Sequence, residues 1–200
     1  MIVLGSHNRH KGIEMNEILA PLGIQLKTLA DFPNAIDVME DGHSFRENAE
    51  KKAVEQARNL NCWVVAEDSG ISVPVLNGEP GIYSARFAGP HATDEQNNDL
   101  LLKKLGDLPL EKREAYYTCF MVLSDPEGKI QFAGEGKCWG TILYERHGSN
   151  GFGYDPLFKV RGYDYTFGEL PSDIKSRISH RAQATQLFIA WIKDHRELFS

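Results

Sequence analysis

The sequence predicts an α/β fold, and three observations carry that reading. The β-favouring run Ile2-Val3-Leu4 feeds a stretch in which Met15, Ile18, Leu19 and Leu22 recur at i, i+3, i+4 and i+7, the spacing of one helix face. A second amphipathic segment leads into the apolar run Cys62-Trp63-Val64-Val65-Ala66. Near the C-terminus Ala184, Leu187, Phe188, Trp191 and Ile192 again keep helical spacing, so strands and helices mix along the whole chain, as α/β or α+β.

Each element has its own signal. Gly23 ends the first helix. "SFRENAEKKAVEQARNL" opens with Ser44 and Glu47 at capping-box spacing and sets Ala49, Ala53 and Ala57 on one stripe, a thin face suited to close packing. "CWVVAEDSGISVPVL" reads as a strand through Ala66, a polar break at Glu67-Asp68-Ser69-Gly70, alternation at Ile71, Val73 and Val75, and a turn at Asn77-Gly78. Thr93 and Gln96 begin a helix that carries Leu101, Leu102 and Leu105, and residues 116 to 123 form a strand. "SDPEGK" is a hairpin-type turn, which makes residues 130 to 144 that strand's partner. Ser179 stands where the last helix needs an N-cap, placing His180 and Arg181 in its first turn. "GFGYDP", residues 151 to 156, breaks an apolar run with two glycines and an Asp-Pro, and so predicts a shaped loop.

Composition narrows the classes. Two hundred residues, 42% hydrophobic and 25% charged, suffice for a substantial core within one domain spanning residues 1–200. No repeat, low-complexity tract or linker divides it. A formal charge of -6, with no local patch of interleaved basic and aromatic residues, argues against nucleic acid as a partner. Cys62, Cys119 and Cys138 are scattered without CxxC or Cys/His pairing, so neither a disulfide framework nor a zinc site is expected. The short apolar start and the lack of a spanning run predict no signal peptide, no membrane helix and a cytoplasmic location.

Several polar clusters can carry chemistry, each with a plainer alternative. "SHNRHK", Ser6 to Lys11, lies at a strand-to-helix junction that favours an anion, though Ser6 or Asn8 can simply cap the helix. Glu40 and Asp41, with Glu67 and Asp68, can supply three or four oxygens to a hard divalent cation if the segments meet; otherwise they are acidic turns. Asp68 is the more suggestive, at a strand end before Ser69 and Gly70. Arg181 opposes the dipole at a helix start, which points to a nearby anion or carbonyl, or to pairing with Glu169 or Asp173. His180 reads equally as a packed side chain. Phe152 and Tyr154 flank Gly153 as a platform for a purine or as core. Lys52 lies on a helix of mixed charge, and Arg86 is either a loop anchor or a phosphate contact.

Together these stretches resemble the inosine triphosphate pyrophosphatase family, nearly end to end. The marks are "SHNRHK", "EDG-SF-ENA" at residues 40 to 49, "AEDSG" at 66 to 70, "PGIYSARFAG" at 80 to 89, "GFGYDPLF" at 151 to 158 and "KSRISHRAQA" at 175 to 184. Ordered motifs at matching spacing are far harder to obtain by chance than any one alone. The resemblance implies a long curved mixed β-sheet with flanking helices, in two lobes around a central cleft, assembled as a homodimer. It implies hydrolysis of deaminated purine nucleoside triphosphates such as ITP, dITP and XTP to the monophosphate and pyrophosphate, with Mg2+ as cofactor. By similarity the loop of Ser6, His7, Asn8, Arg9, His10 and Lys11 contacts the substrate, with Ser6, Asn8 and Lys11 at its triphosphate end. Glu40 and Asp68 hold the magnesium, and Asp68 also accepts the proton. Lys11, together with Lys52 and Arg86, is expected to stabilise the leaving pyrophosphate. Ser69, Lys175, His180 and Arg181 contact the nucleotide, and Phe152, Gly153, Tyr154 and Asp155 surround the base. Two departures stand out: Glu67 where many members carry Asp, and "SHN" in place of the commoner "TGN". The rival readings are a nucleotide-binding or sensing module without turnover and a pyrophosphatase for other modified nucleotides.

Overall fold

A computed structural model describes residues 1–6, 12, 13, 15, 16 and 19–199. The fully buried β1 (Ile2–Leu4) pairs in parallel with β2 (Leu26–Thr28). Between them residues 12, 13, 15, 16 and 19 are helical, with Met15 and Leu19 inward, and Gly23 closes the segment in the left-handed conformation at φ +74°. α1 (Phe45–Leu60) starts where Ser44 Oγ accepts from Glu47 N at 3.1 Å. The reciprocal arm differs from a capping box, because the Glu47 carboxylate takes the His43 N–H at 2.8 Å, one residue earlier.

The Ala49 and Ala53 stripe packs against Ala66 and Val122, while Ala57 packs with Val3, Leu29 and Val64. Methyl groups let the helix lie close to the strands, each contributing about 0.8 kcal/mol on burial.

β3 (Val64–Ser72) pairs in parallel with β1 and corrects the sequence reading, since it runs unbroken through Glu67-Asp68-Ser69-Gly70. Polar side chains do not end a strand whose backbone remains in the ladder. A 3-10 turn at Pro74–Leu76 follows, then Asn77 and Gly78 at positive φ. Val75, predicted to face the core, is exposed on that turn.

α2 (Asp94–Leu105) begins with the full Thr93/Gln96 capping box. β4 (Glu114–Ser124) and β5 (Ile130–Ile142) are joined by five residues, and Asp125 Oδ1 accepts from Lys129 N at 2.8 Å. β6 (Phe158–Val160) is antiparallel to β5, giving a six-stranded mixed sheet in the order β2-β1-β3-β4-β5-β6. α3 (Ser172–Ile178) and α4 (His180–Asp194) are separated by Ser179, whose Oγ accepts from Ala182 N at 3.1 Å as an N-cap.

The chain divides into two compact units: Met1–Asp68 with Phe120–Glu135 and Ala184–Ser200, and Ser69–Cys119 with Gly136–Gln183. The second has its own apolar core, built on Ile71, Leu101, Tyr117, Phe158 and Phe167. Buried Arg113 braces it by donating to the carbonyls of Ile142 (2.8 Å), Gly106 (2.9 Å) and Leu143 (3.0 Å). Among the described residues no helix is long and apolar enough to cross a membrane.

Candidate active site

In the first unit the sequence-predicted carboxylates meet at one ammonium. Lys52 Nζ, carried on α1, lies 3.3 Å from Glu40 Oε2 and 3.5 Å from Asp68 Oδ1 on β3. The Lys52 and Asp68 side chains are each 13% exposed and Glu40 is 39% exposed, so the cluster is partly withdrawn from water yet still reachable. Asn48, one helical turn before Lys52, holds the other carboxylate oxygen, its Nδ2 donating to Asp68 Oδ2 at 2.9 Å. Its own Oδ1 accepts from Gly42 N at 2.9 Å. A Cβ on residue 42 would stand 2.7 Å from that oxygen, so the glycine of "EDG" is there for close approach.

The other two acids do not join this cluster. The Asp41 carboxylate bonds the Lys51 ammonium at 2.6 Å, and that hydrogen bond holds its pKa below the usual range. Glu67 is buried, and strand alternation turns it away from the side that Asp68 occupies. Of the four acids weighed, Glu40 and Asp68 are the two that meet at one point among the described residues. Among the described residues no group of three or more His, Cys, Asp or Glu side chains could hold a metal ion. Two carboxylates suit a cation that keeps waters and takes phosphate oxygens for its remaining positions.

In the second unit the "GFGYDP" loop is built around Asp155. Its buried carboxylate accepts from Phe152 N at 2.9 Å, from Tyr117 OH at 3.4 Å and from Lys175 Nζ. Gly151 (φ +76°) and Gly153 (φ +61°) both adopt the left-handed conformation. Gly151 is needed within the loop itself, because an added Cβ would strike the Asp155 carboxylate. Phe152, 51% exposed, is flanked by Lys175 Nζ at 4.8 Å and the Arg181 guanidinium at 5.9 Å from its ring centre. Tyr154 does not share that platform: it is 3% exposed within the core, and its hydroxyl donates to Ser84 O at 2.8 Å. Of these two rings, Phe152 is the exposed one.

Arg181 donates to Ser69 Oγ at 3.4 Å, while the two nearby acids of the sequence are engaged elsewhere, Asp173 with Arg177 and Glu169 with Thr166. His180 is buried and stacks on Tyr117 with ring centres 4.7 Å apart. Arg86 lies over the Tyr83 ring at 5.2 Å. Ser6 is half-buried at the end of β1, its N–H bonded to Leu4 O at 2.8 Å. His7, Asn8, Arg9, His10 and Lys11 lie outside the described residues.

Asn48 and Tyr117 escaped the sequence reading. An asparagine inside a helix, next to the alanine stripe, was the available signal for Asn48. Tyr117 looked like any aromatic on a strand, and only its partners reveal its place beneath His180 and Asp155.

In an α/β chain, the first unit thus offers paired carboxylates beside an ammonium, a set suited to phosphate and its counter-ions, and the second offers an exposed ring near two cations, a set suited to a flat, electron-rich group. The chain belongs to the Ham1 family, whose profile matches residues 2–191. It is 50% identical over 188 residues to the dITP/XTP pyrophosphatase of Rhodopirellula baltica, covering 94% of this chain and 90% of that protein. The dITP/XTP pyrophosphatase of Protochlamydia amoebophila is 43% identical, over 98% of this chain and 99% of its own length. Among solved structures, the Staphylococcus aureus Ham1 protein superposes with a TM-score of 0.90 at 38% identity, covering 97% of this chain and 98% of that one.

Proposed function

We propose that this protein is a nucleoside triphosphate pyrophosphatase that hydrolyses deaminated purine nucleotides, among them ITP, dITP and XTP, to the monophosphate and pyrophosphate. The observation that carries the reading is the convergence of Glu40 and Asp68 on Lys52 Nζ, with Asn48 fixing the second Asp68 oxygen. The names of the similar proteins support the substrate class.

Asp68 accepts the proton of a water whose oxygen attacks the α-phosphorus. The new bond joins that oxygen to phosphorus, the α-β bridging bond breaks, and its electron pair leaves with pyrophosphate. Asn48 keeps the carboxylate from rotating, so one oxygen stays presented. Lys52 offsets the charge that gathers on the leaving group, and Lys11, with the rest of the Ser6 to Lys11 loop, adds donors at the same end. Magnesium, held by Glu40 and Asp68 when bound, supplies neutralisation of the phosphate oxygens.

Base recognition falls to the second set. Phe152 stacks on the purine, Gly153, Tyr154 and Asp155 shape the surrounding loop, and Ser69, Lys175, His180 and Arg181 contact the nucleotide. A donor from Arg181 or His180 suits the carbonyl at position 6 of hypoxanthine and xanthine. Against the amine of adenine it is left unpaired, which costs about 1–3 kcal/mol. The reading places the protein with the cytoplasmic nucleotide pool, as a homodimer.

A panel of nucleoside triphosphates, with and without magnesium, tests the reading by pyrophosphate and monophosphate release. Metal-dependent pyrophosphate from ITP and XTP, well above that from ATP, is the expected result. Binding without turnover would leave a sensing module, and preference for a modified pyrimidine would move the substrate class.

A further inference from the structure

We propose that Asp94 and Asn98 are positioning residues that set the Phe152 ring for the base, an inference that rests on the function argued above. They sit one turn apart on α2, so their side chains rise from the same face of the helix. Asp94 Oδ2 accepts from Gly153 N at 2.6 Å, and Asn98 Nδ2 donates to Gly153 O at 3.0 Å. The two peptide planes that flank the Gly153 Cα are thereby each tied to a rigid helix. Fixing both planes fixes φ and ψ of the residue between the exposed Phe152 and the buried Tyr154.

That pinning matters because, among the described residues, no side-chain packing defines Gly153. Its φ of +61° is glycine's to adopt, and an added Cβ would find no atom within 4 Å, so packing does not hold it there. A glycine in open space wanders unless its polar groups are bound. Its neighbours already have their own ties, Phe152 N to Asp155 and Tyr154 OH to Ser84 O.

Asn98 adds an independent sign. The side chain is 3% exposed, and among the described residues its Oδ1 is a buried acceptor without a hydrogen-bond partner. Burying an unsatisfied acceptor costs about 1–3 kcal/mol, and a leucine at the same place would escape that cost. The amide is therefore present for its donor, and that donor goes to Gly153 O.

The test compares Asp94→Ala and Asn98→Asp with the conservative Asp94→Asn. Loss of one such hydrogen bond is expected to raise KM for XTP about tenfold while kcat changes less than about twofold. Asp94→Asn keeps an acceptor and stays near the parent value. Inhibition by inorganic tripolyphosphate, which has no base to stack, stays unchanged in all three. An unaltered KM in both disruptive variants, or equal losses for XTP and tripolyphosphate, would overturn the proposal. Hydrogen exchange of the Gly153 amide in the nucleotide-free protein gives a readout separate from turnover. Faster exchange in Asp94→Ala supports the clamp even if no triphosphate is hydrolysed, whereas unchanged protection removes it whatever the substrate.

Discussion

Asn48 and Asp68 are joined by a 2.9 Å hydrogen bond from the side-chain amide to Oδ2, and the same asparagine is anchored through Oδ1 to Gly42 N. The acid is thus held by a neutral donor on one oxygen and faces a cation with the other. Asp68→Asn keeps the shape and removes the proposed base, so pyrophosphate release should fall about 10²–10⁴-fold while nucleotide binding, read by calorimetry, persists. A fully active variant would end the role assigned to Asp68.

Gly42→Ala tests the anchor instead of the acid. Its methyl would press on Asn48 Oδ1 at 2.7 Å and Glu47 Cβ at 2.9 Å, so Asn48 has to shift and Asp68 with it. A loss of about tenfold in kcat, with the ITP to ATP preference intact, is the expected signature of a displaced carboxylate. Altered preference with unchanged kcat would contradict it.

Lys52 occupies the place where two carboxylates converge, and a divalent cation brought there meets its positive charge. Lys52→Met should tighten Mn2+ binding to the nucleotide-free protein, followed by paramagnetic titration, yet slow turnover by about 10²-fold or more. Weaker Mn2+ binding would mean that the lysine organises the carboxylates more than it repels the ion.

Arg181→Ala removes a donor that lies over Phe152 and bonds Ser69 Oγ. The ratio of kcat/KM for ITP over ATP should shrink by about tenfold or more, because the adenine complex no longer strands a buried donor. An unchanged ratio assigns base reading elsewhere.

Alkaline pH should destabilise the fold in a definite window. Burial, aided by the Asp155 charge, raises the Cys138 thiol from its ordinary 9.0 to about 11. The unfolded chain releases this proton first, so the folded state holds more protons between those values and stability falls as pH rises through them, by about 1.4 kcal/mol per pH unit. Tyr117, raised well above 10.0 by burial and then by Asp155, extends the fall upward. Urea denaturation across this range should show a shallower slope for Cys138→Ala, and an identical slope would refute the linkage.

What the sequence made legible was local. Ser44, Thr93 and Ser179 cap helices because capping is decided within three residues, and Asn77-Gly78 turns because positive φ is decided by the residues themselves. The strand through Glu67 and Asp68 was misread as broken because local polarity says nothing of a backbone ladder formed with distant strands. Lys52 was singled out only conditionally, since a lysine on a mixed-charge helix acquires meaning from carboxylates 12 and 16 residues away. Tyr154 and Phe152 look alike in the chain, and packing alone sends one ring inward and leaves the other in solvent.

The uninterrupted course of β3 restricts how this chain can vary. Adding or removing one residue between Val65 and Glu67 would turn each of the two acids to the opposite face of the strand, sending Asp68 inside and bringing Glu67 out. Composition would barely alter, yet the acid proposed as general base would leave its place beside Lys52 and Asn48. Length changes are therefore tolerable in the surface connections and forbidden in this stretch, whatever amino acids they use.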